Sequence, residues 1–101
     1  MIVYNTTYTM QNEDARNFVI WATEVLMPRA QRSEKLTNGR MLRILNHHDQ
    51  DTECFSIQFD VPDNRVLHEW YVKEGAALVR ELEQTFQGKV VGFSTLMRDE
   101  F

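Results

Sequence analysis

The sequence predicts an α+β fold of the ferredoxin-like type, with the element order βαββαβ. Apolar and polar side chains alternate near both ends of the chain and in a central pair of segments, which indicates four strands. Between them lie two stretches in which apolar residues recur at helical spacing. In this fold a four-stranded antiparallel sheet carries both helices on one face, and 101 residues suffice for one such domain, expected to span 1–101.

The first strand is predicted over residues 2–10, where side chains point alternately to the two faces of the sheet. One face would hold Ile2, Tyr4, Thr6, Tyr8 and Met10, and the other would hold Val3, Asn5, Thr7 and Thr9. The pattern leaves open which face meets the helices, because a shift of one residue in the register exchanges them.

The first helix is predicted to begin at Asn12, whose side chain suits an N-cap, and the acidic Glu13 and Asp14 follow in its first turn. Pro28 cannot donate a hydrogen bond to the carbonyl of Glu24, so we expect the helix to kink or end there. The residues expected to face the core are Ala15, Phe18, Val19, Trp21, Ala22, Val25 and Leu26.

Residues 40–48 and 53–61 are predicted to form a hairpin across the polar turn 49–52. Phe55, Ile57, Phe59 and Val61 would share its apolar face. The uncovered face is expected to hold Met41, Arg43 and Leu45 beside Cys54, Ser56 and Gln58. That surface is too apolar to be left in water, so we expect a second copy to cover it in a two-fold homodimer. The alternative is a monomer whose sheet is half solvated.

The second helix is predicted to open at Pro62 and Asp63, with proline early and an acid near the cap. Gly75 weakens its middle, Gly88 ends it, and the last strand follows over 89–97. The residues expected on its buried side are Val66, Leu67, Trp70, Ala77, Leu78, Leu82 and Phe86.

Composition argues against several classes of function. The net charge is -4 and the 11 Lys and Arg residues are scattered, so no nucleic-acid partner is expected. No apolar run approaches the ~20 residues that span a bilayer, so no membrane partner is expected. The single Cys54 cannot form an internal disulfide, which fits a cytoplasmic location, and its place within a strand favours an inert packed thiol.

Several segments together resemble a small bacterial family known only as a domain of unknown function: 1–5 (MIVYN), Trp21 with 26–28 (LMP), 40–45 (RMLRIL), 56–59 (SIQF) and 86–96 (FQGKVVGFSTL). The resemblance runs nearly end to end and implies a dimeric α+β barrel, in which two sheets face each other with the helices outside. It implies no reaction. Leu26 and Glu74 stand where the family pattern has histidines, so a site built on those histidines cannot form in this chain.

Among barrels of this type, the haem-degrading and quinone-forming monooxygenases are similar in having an Asn on the first strand and a Trp in the second helix. Asn5 and Trp70 match these positions. The haem enzymes also have an axial His where this chain has Arg80, and a protonated guanidinium cannot ligate iron. We therefore expect no cofactor. A cofactor-independent monooxygenase or isomerase is an alternative function, and it requires Asn5 and Trp70 to reach one closed pocket.

The other polar residues supply no set of acid, base and nucleophile. His47 and His48 are neighbours on a predicted strand and would point to opposite faces, so no metal site is expected. A partly buried Arg43 needs a partner, which is expected to be Asp60 or Gln58 of the adjacent strand, a side chain of the second subunit, or a carboxylate or phosphate of a small ligand. The candidate ligand-binding residues are Tyr4, Asn5, Arg43 and Trp70, with Tyr8 in the same aromatic wall.

The sequence thus favours a homodimeric scaffold or small-ligand-binding module without catalysis. The oxygenase or isomerase is the second hypothesis. A protein-interaction subunit is the third, and it would show an exposed apolar patch on the surface of the dimer.

Overall fold

The computed structural model describes residues 1–100 and confirms the predicted element order. The strands are β1 (Ile2–Gln11), β2 (Thr37–Ile44), β3 (Thr52–Val61) and β4 (Val91–Arg98). The first helix, residues 12–31, consists of α1 (Asn12–Trp21), a π-helical turn (Ala22–Leu26) and α2 (Met27–Gln31). The second helix, residues 64–86, consists of α3 (Asn64–Trp70), a π-helical turn (Tyr71–Gly75) and α4 (Ala76–Phe86).

The four strands form one sheet in the order β2-β3-β1-β4, and every neighbouring pair is antiparallel. This is the arrangement of a ferredoxin-like α+β fold. On β1, the side chains of Tyr4 and Tyr8 pack against the core beneath the helices, whereas Asn5 lies on the opposite face. We call that opposite face, which neither helix covers, the open face. Its residues are Val3, Asn5, Thr7, Thr9, Arg40, Leu42, Ile44, Cys54, Ser56, Gln58, Asp60, Val91, Phe93, Thr95 and Met97.

The prediction for the uncovered face of β2 was wrong. Met41 pairs with Ile57 and Arg43 pairs with Phe55, which places both on the face beneath the helices. Leu45 lies beyond the end of β2 and is 84% exposed. The segment RMLRIL has apolar residues at both odd and even positions, so its alternation did not determine the face. An irregularity between Thr37 and Arg40 shifts the register, and Leu42 and Ile44 occupy the open face instead.

The start of the first helix also differs from the prediction. Gln11 is the N-cap and makes no capping bond with its side chain. Asn12 instead donates from Nδ2 to the carbonyl of Gln50 at 2.9 Å, and its backbone N–H donates to Asp51 at 3.0 Å. Asn12 therefore ties the beginning of the helix to the loop between β2 and β3.

The first helix does not end at Pro28. The backbone N–H of Met27 bonds to the carbonyl of Ala22, five residues back, so the helix widens into a π turn just before the proline. The helix then continues to Gln31. The wider turn accommodates the residue that lacks a donor, which is why the expected termination does not occur.

The second helix begins as predicted. Asp63 is its N-cap, and its carboxylate accepts a hydrogen bond of 2.9 Å from the backbone N–H of Val66. The helix ends where Gln87 and Gly88 take positive φ angles of 54° and 77°. This left-handed C-terminus lets the chain turn back into β4.

The hydrophobic core fills the space between the helices and the sheet. Its largest fully buried side chains are Phe18, Leu36, Ile57, Val61 and Val90. Three ion pairs also link the first helix and the loop after it to the second helix: Arg29 with Glu81, Arg32 with Glu74 and Lys35 with Glu69. Within residues 1–100, no helix has the length and apolar character needed to cross a membrane.

Candidate functional site

A cleft opens between the second helix and the β1–β4 side of the sheet, because β4 extends beyond the cover that the helices provide. All residues of Val91–Arg98 are exposed. The cleft has a volume of about 300 Å³, which is near the lower end of the range for small-molecule sites. We call it the aromatic cleft. It is lined by Tyr4, Thr6, Tyr8, Trp21, Leu26, Trp70, Tyr71, Gly75, Leu78, Val79, Leu82, Glu83, Val90, Gly92, Phe93 and Ser94.

Core rings support the aromatic walls of this cleft. The ring of Tyr8 lies 4.9 Å from that of Phe18, centroid to centroid. Trp21 meets Phe86 edge to face at 6.0 Å. Such contacts hold the rings in place. The walls are therefore preorganised.

Trp70 belongs to the second helix, and its side chain is held against the first helix. Its indole N–H donates a 3.0 Å hydrogen bond to the carbonyl of Ala30, near the C-terminus of the first helix, where the last carbonyls lack partners within the helix. Its ring meets Tyr4 nearly edge to face, with centroids 5.9 Å apart. Gly75 follows in the π turn and leaves the space that the ring occupies. Trp70 thus joins the end of the first helix to the wall of the cleft.

The cleft has few polar groups. The hydroxyls of Thr6 and Ser94 are hydrogen-bonded at 3.0 Å across β1 and β4. Burial, with a smaller contribution from Tyr4, raises the pKa of the Tyr8 phenol well above its usual range, so it stays protonated at neutral pH. Glu83 is the charged residue of the lining, and the described lining includes no Lys, Arg or His.

The structure brings together only two of the four predicted ligand-binding residues. Tyr4 and Trp70 meet in the aromatic cleft. Asn5 lies on the open face, where its Oδ1 accepts from Ser56 Oγ at 2.5 Å and its Nδ2 donates to Thr7 Oγ1 at 3.2 Å. Asn5 and Trp70 therefore lie on opposite sides of the sheet. This placement contradicts the requirement of the oxygenase hypothesis that both reach one pocket.

Arg43 lies at the far edge of the sheet from the cleft. Its guanidinium pairs with Glu53 at 2.9 Å and lies over the ring of Phe55, 4.9 Å from the centroid. Both contacts stay within the hairpin of β2 and β3. The partner of Arg43 is thus Glu53, together with an aromatic ring, instead of the expected Asp60 or Gln58, which lie on the open face.

The histidines and the cysteine lie outside the cleft. His47 and His48 follow the end of β2 instead of lying in a strand. Cys54 is half buried on the open face, with its Sγ 3.5 Å from Thr9 Oγ1. Among residues 1–100, no group of three or more His, Cys, Asp or Glu side chains is arranged to hold a metal ion.

Sequence reasoning missed several residues of the cleft. The hydroxyl pair of Thr6 and Ser94 depends on the pairing of strands 88 residues apart, which no local pattern encodes. Trp21 was assigned to the core stripe, and Glu83 resembles any solvated acid on a helix. Gly75, in the middle of a helix and close to two aromatic residues, was the available signal that a ring lies against the backbone.

A family model described as Domain of unknown function (DUF4286) matches residues 1–100. The resemblance to a family of unknown function is thereby confirmed. No curated protein matches the chain.

Solved structures with the same fold cover nearly the whole chain. A dimeric ferredoxin-like protein from an uncultured marine organism is 13% identical, with a TM-score of 0.64 over 99% of this chain and 95% of that one. An ethyl tert-butyl ether D (EthD) family protein from Bacillus halodurans C-125 is 15% identical, with a TM-score of 0.69 over 98% and 99%. A monooxygenase from the gene ActVA-Orf6 of Streptomyces coelicolor, in complex with nanaomycin D, is 11% identical, with a TM-score of 0.63 over 99% and 89%. At these identities the similarity shows the fold alone.

Proposed function

This chain belongs to the family described as Domain of unknown function (DUF4286), and we propose that it is a homodimeric module that binds a small, mostly apolar molecule without catalysing a reaction. The observation that carries the proposal is the aromatic cleft. A volume of about 300 Å³ corresponds to about ten water molecules, at ≈ 30 Å³ each. That space suits a one-ring or two-ring compound.

The chemistry of the lining supports binding more than catalysis. Rings and aliphatic side chains form most of the surface, and the hydroxyls of Thr6 and Ser94 can orient one polar group of a ligand. The phenol of Tyr8 stays protonated at neutral pH and so cannot act as a base there. Within the described lining, no nucleophile is paired with a base.

The open face supports the homodimer. Phe93 and Met97 are 64% and 40% exposed there, and Leu42 and Val91 add further apolar surface. At the centre, Asn5 is only 8% exposed, and it is hydrogen-bonded to Ser56 and Thr7. The open face of a second copy would cover the apolar residues on the edge strands. It would also contact the hydrogen-bonding side chains at the centre of the sheet. Structures with this fold are described as dimeric.

Ligand-observed NMR with 2-phenylethanol tests the binding role. Saturation transfer from the protein to this probe is expected for the native chain and is expected to be lost in Ser94→Phe, which fills the cleft. Leu96→Phe is the matched control, because Leu96 lies two residues along on the same strand and outside the lining. No transfer to the native protein, or equal loss in both variants, would overturn the binding proposal.

Copy number is tested separately by sedimentation equilibrium and native mass spectrometry of freshly purified protein. The expected species has about twice the 12.0 kDa mass of the chain. A 12 kDa species alone at tens of micromolar would overturn the homodimer and favour a different protein on the open face. Native spectra also reveal any small molecule that co-purifies with the protein.

A further inference from the structure

The acidic residues of the second helix differ in one respect that bears on the cleft. Glu69, Glu74 and Glu81 each pair with a basic residue contributed by the first helix or the loop after it. Glu83 has no ion pair or side-chain hydrogen bond among residues 1–100, and it lines the aromatic cleft. The carboxylate of Glu83 is thus available to a molecule that binds in the aromatic cleft.

The neighbouring surface favours a positive charge as well. Tyr4, Tyr8, Trp21, Trp70 and Tyr71 contribute rings to the lining. The faces of such rings carry partial negative charge and attract ammonium groups. The described lining offers no Lys, Arg or His to an anion. A carboxylate or phosphate that entered the cleft would lose its water without gaining a cationic partner.

We infer that the aromatic cleft selects a small molecule with an apolar body and a positively charged nitrogen, such as an arylalkyl amine, and rejects the corresponding anion. The inference rests on the proposed ligand-binding role and names its ligand class. The apolar body of the ligand packs between the aromatic rings of the cleft, which the core rings hold in place. The nitrogen lies toward Glu83 at the rim of the cleft.

Three compounds with the same phenethyl body isolate the effect of charge: phenethylamine, 2-phenylethanol and 3-phenylpropionate. Both tryptophans of the chain line the cleft, so their fluorescence reports binding of these probes, which absorb little above 290 nm. We expect phenethylamine to bind at least about tenfold more tightly than 3-phenylpropionate, with 2-phenylethanol between them. Raising the salt concentration is expected to reduce the difference in affinity between phenethylamine and 3-phenylpropionate.

Glu83→Gln is the decisive variant. It keeps the size of the side chain and one acceptor oxygen but removes the charge. It is expected to weaken the binding of phenethylamine several-fold while leaving the binding of 2-phenylethanol unchanged. Glu24→Gln is the matched control, because it makes the same change in net charge at an exposed residue of the first helix outside the cleft. The control is expected to bind all three probes as the native protein does.

The outcomes separate this inference from the binding role on which it rests. Equal affinity for the three probes, or tighter binding of 3-phenylpropionate, overturns the charge preference and leaves the ligand-binding role standing. A preference for phenethylamine that is the same in Glu83→Gln as in the native chain overturns the role of Glu83. Failure of all three probes to bind overturns both proposals.

Discussion

A Cβ atom at residue 75 would lie 2.6 Å from Cζ3 of Trp70, so the indole ring of Trp70 rests directly on the backbone of Gly75. Side-chain carbons do not approach each other so closely. The same Cβ atom would also lie 2.7 Å from Cδ2 of Tyr71. Glycine at this position therefore serves packing, since its φ angle is an ordinary helical one. The ring of Trp70, which forms part of the cleft wall, can take its position only because residue 75 has no Cβ atom.

Gly75→Ala is expected to destabilise the protein. Alanine is the better helix former, but the displaced rings should cost about 1–3 kcal/mol, which exceeds the gain in propensity of about 1 kcal/mol. Urea unfolding measures the change. In a Trp70→Phe background the smaller ring should relieve the clash, so that Gly75→Ala costs less there. Equal cost in both backgrounds would show that Trp70 is not the obstacle.

Met97→Lys is expected to dissociate the proposed homodimer. The substitution places a charge on the open face, where Met97 is 40% exposed in the single chain, and burying that charge against a second copy is unfavourable. Leu96→Lys is the control, because Leu96 is 48% exposed on the other face of the same strand. Sedimentation should give a monomer for Met97→Lys only. A dimer in both variants would place the interface elsewhere.

Asn5→Ala is expected to lower the free energy of unfolding by about 1–3 kcal/mol, because the Ser56 hydroxyl loses the acceptor of its proton and keeps only the hydrogen bond that it accepts from Gln58. The double variant Asn5→Ala with Ser56→Ala should cost less than the sum of the single changes. The comparison requires denaturant curves at one protein concentration, since dimerisation adds to stability. Strict additivity would mean that the two residues do not act together.

The raised pKa of the partly buried Tyr8 phenol predicts a loss of stability at high pH. Its pKa is raised in the folded state, so above the usual tyrosine value of about 10 the unfolded chain loses its proton first and the stability falls as pH rises. Below that pH this group contributes no pH dependence. Urea curves at pH 8 and pH 11 should show a smaller decline for Tyr8→Phe than for the native chain. The exposed Tyr71→Phe should retain the native decline.

The sequence was sufficient for the order of the elements because hydrophobic periodicity and turn residues are local. Asp63 shows this, since its place beside Pro62 at the start of an apolar stripe predicts the cap that it makes. The face of β2 was not predictable, because apolar residues at both parities suit either register. Of the kink or end that was expected at Pro28, the end does not occur, since propensity does not encode a π turn before Pro28.

The candidate site was predictable only in part for a related reason. Tyr4 and Trp70 were chosen as aromatic residues near a ligand, and they do meet. Asn5 is adjacent to Tyr4 in the chain, yet adjacency on a strand places the two side chains on opposite faces. Arg43 was placed on the wrong face, and it lies at the edge of the sheet that is far from the cleft. Which side chains share a cavity depends on the pairing of distant strands.

The π turn at Tyr71–Gly75 has a consequence for how this helix tolerates changes in length. A π turn holds one more residue than an α turn, so it acts as a built-in single-residue insertion. Deleting one residue there would restore an unbroken α-helix, and the residues after it would keep their direction, because the wider turn already takes up the extra residue. Leu78, Leu82 and Phe86 would still face the core. A chain shortened by one residue at this turn should therefore fold, whereas deleting one residue at the start of α4 would rotate the residues after it by about 100° and should prevent folding.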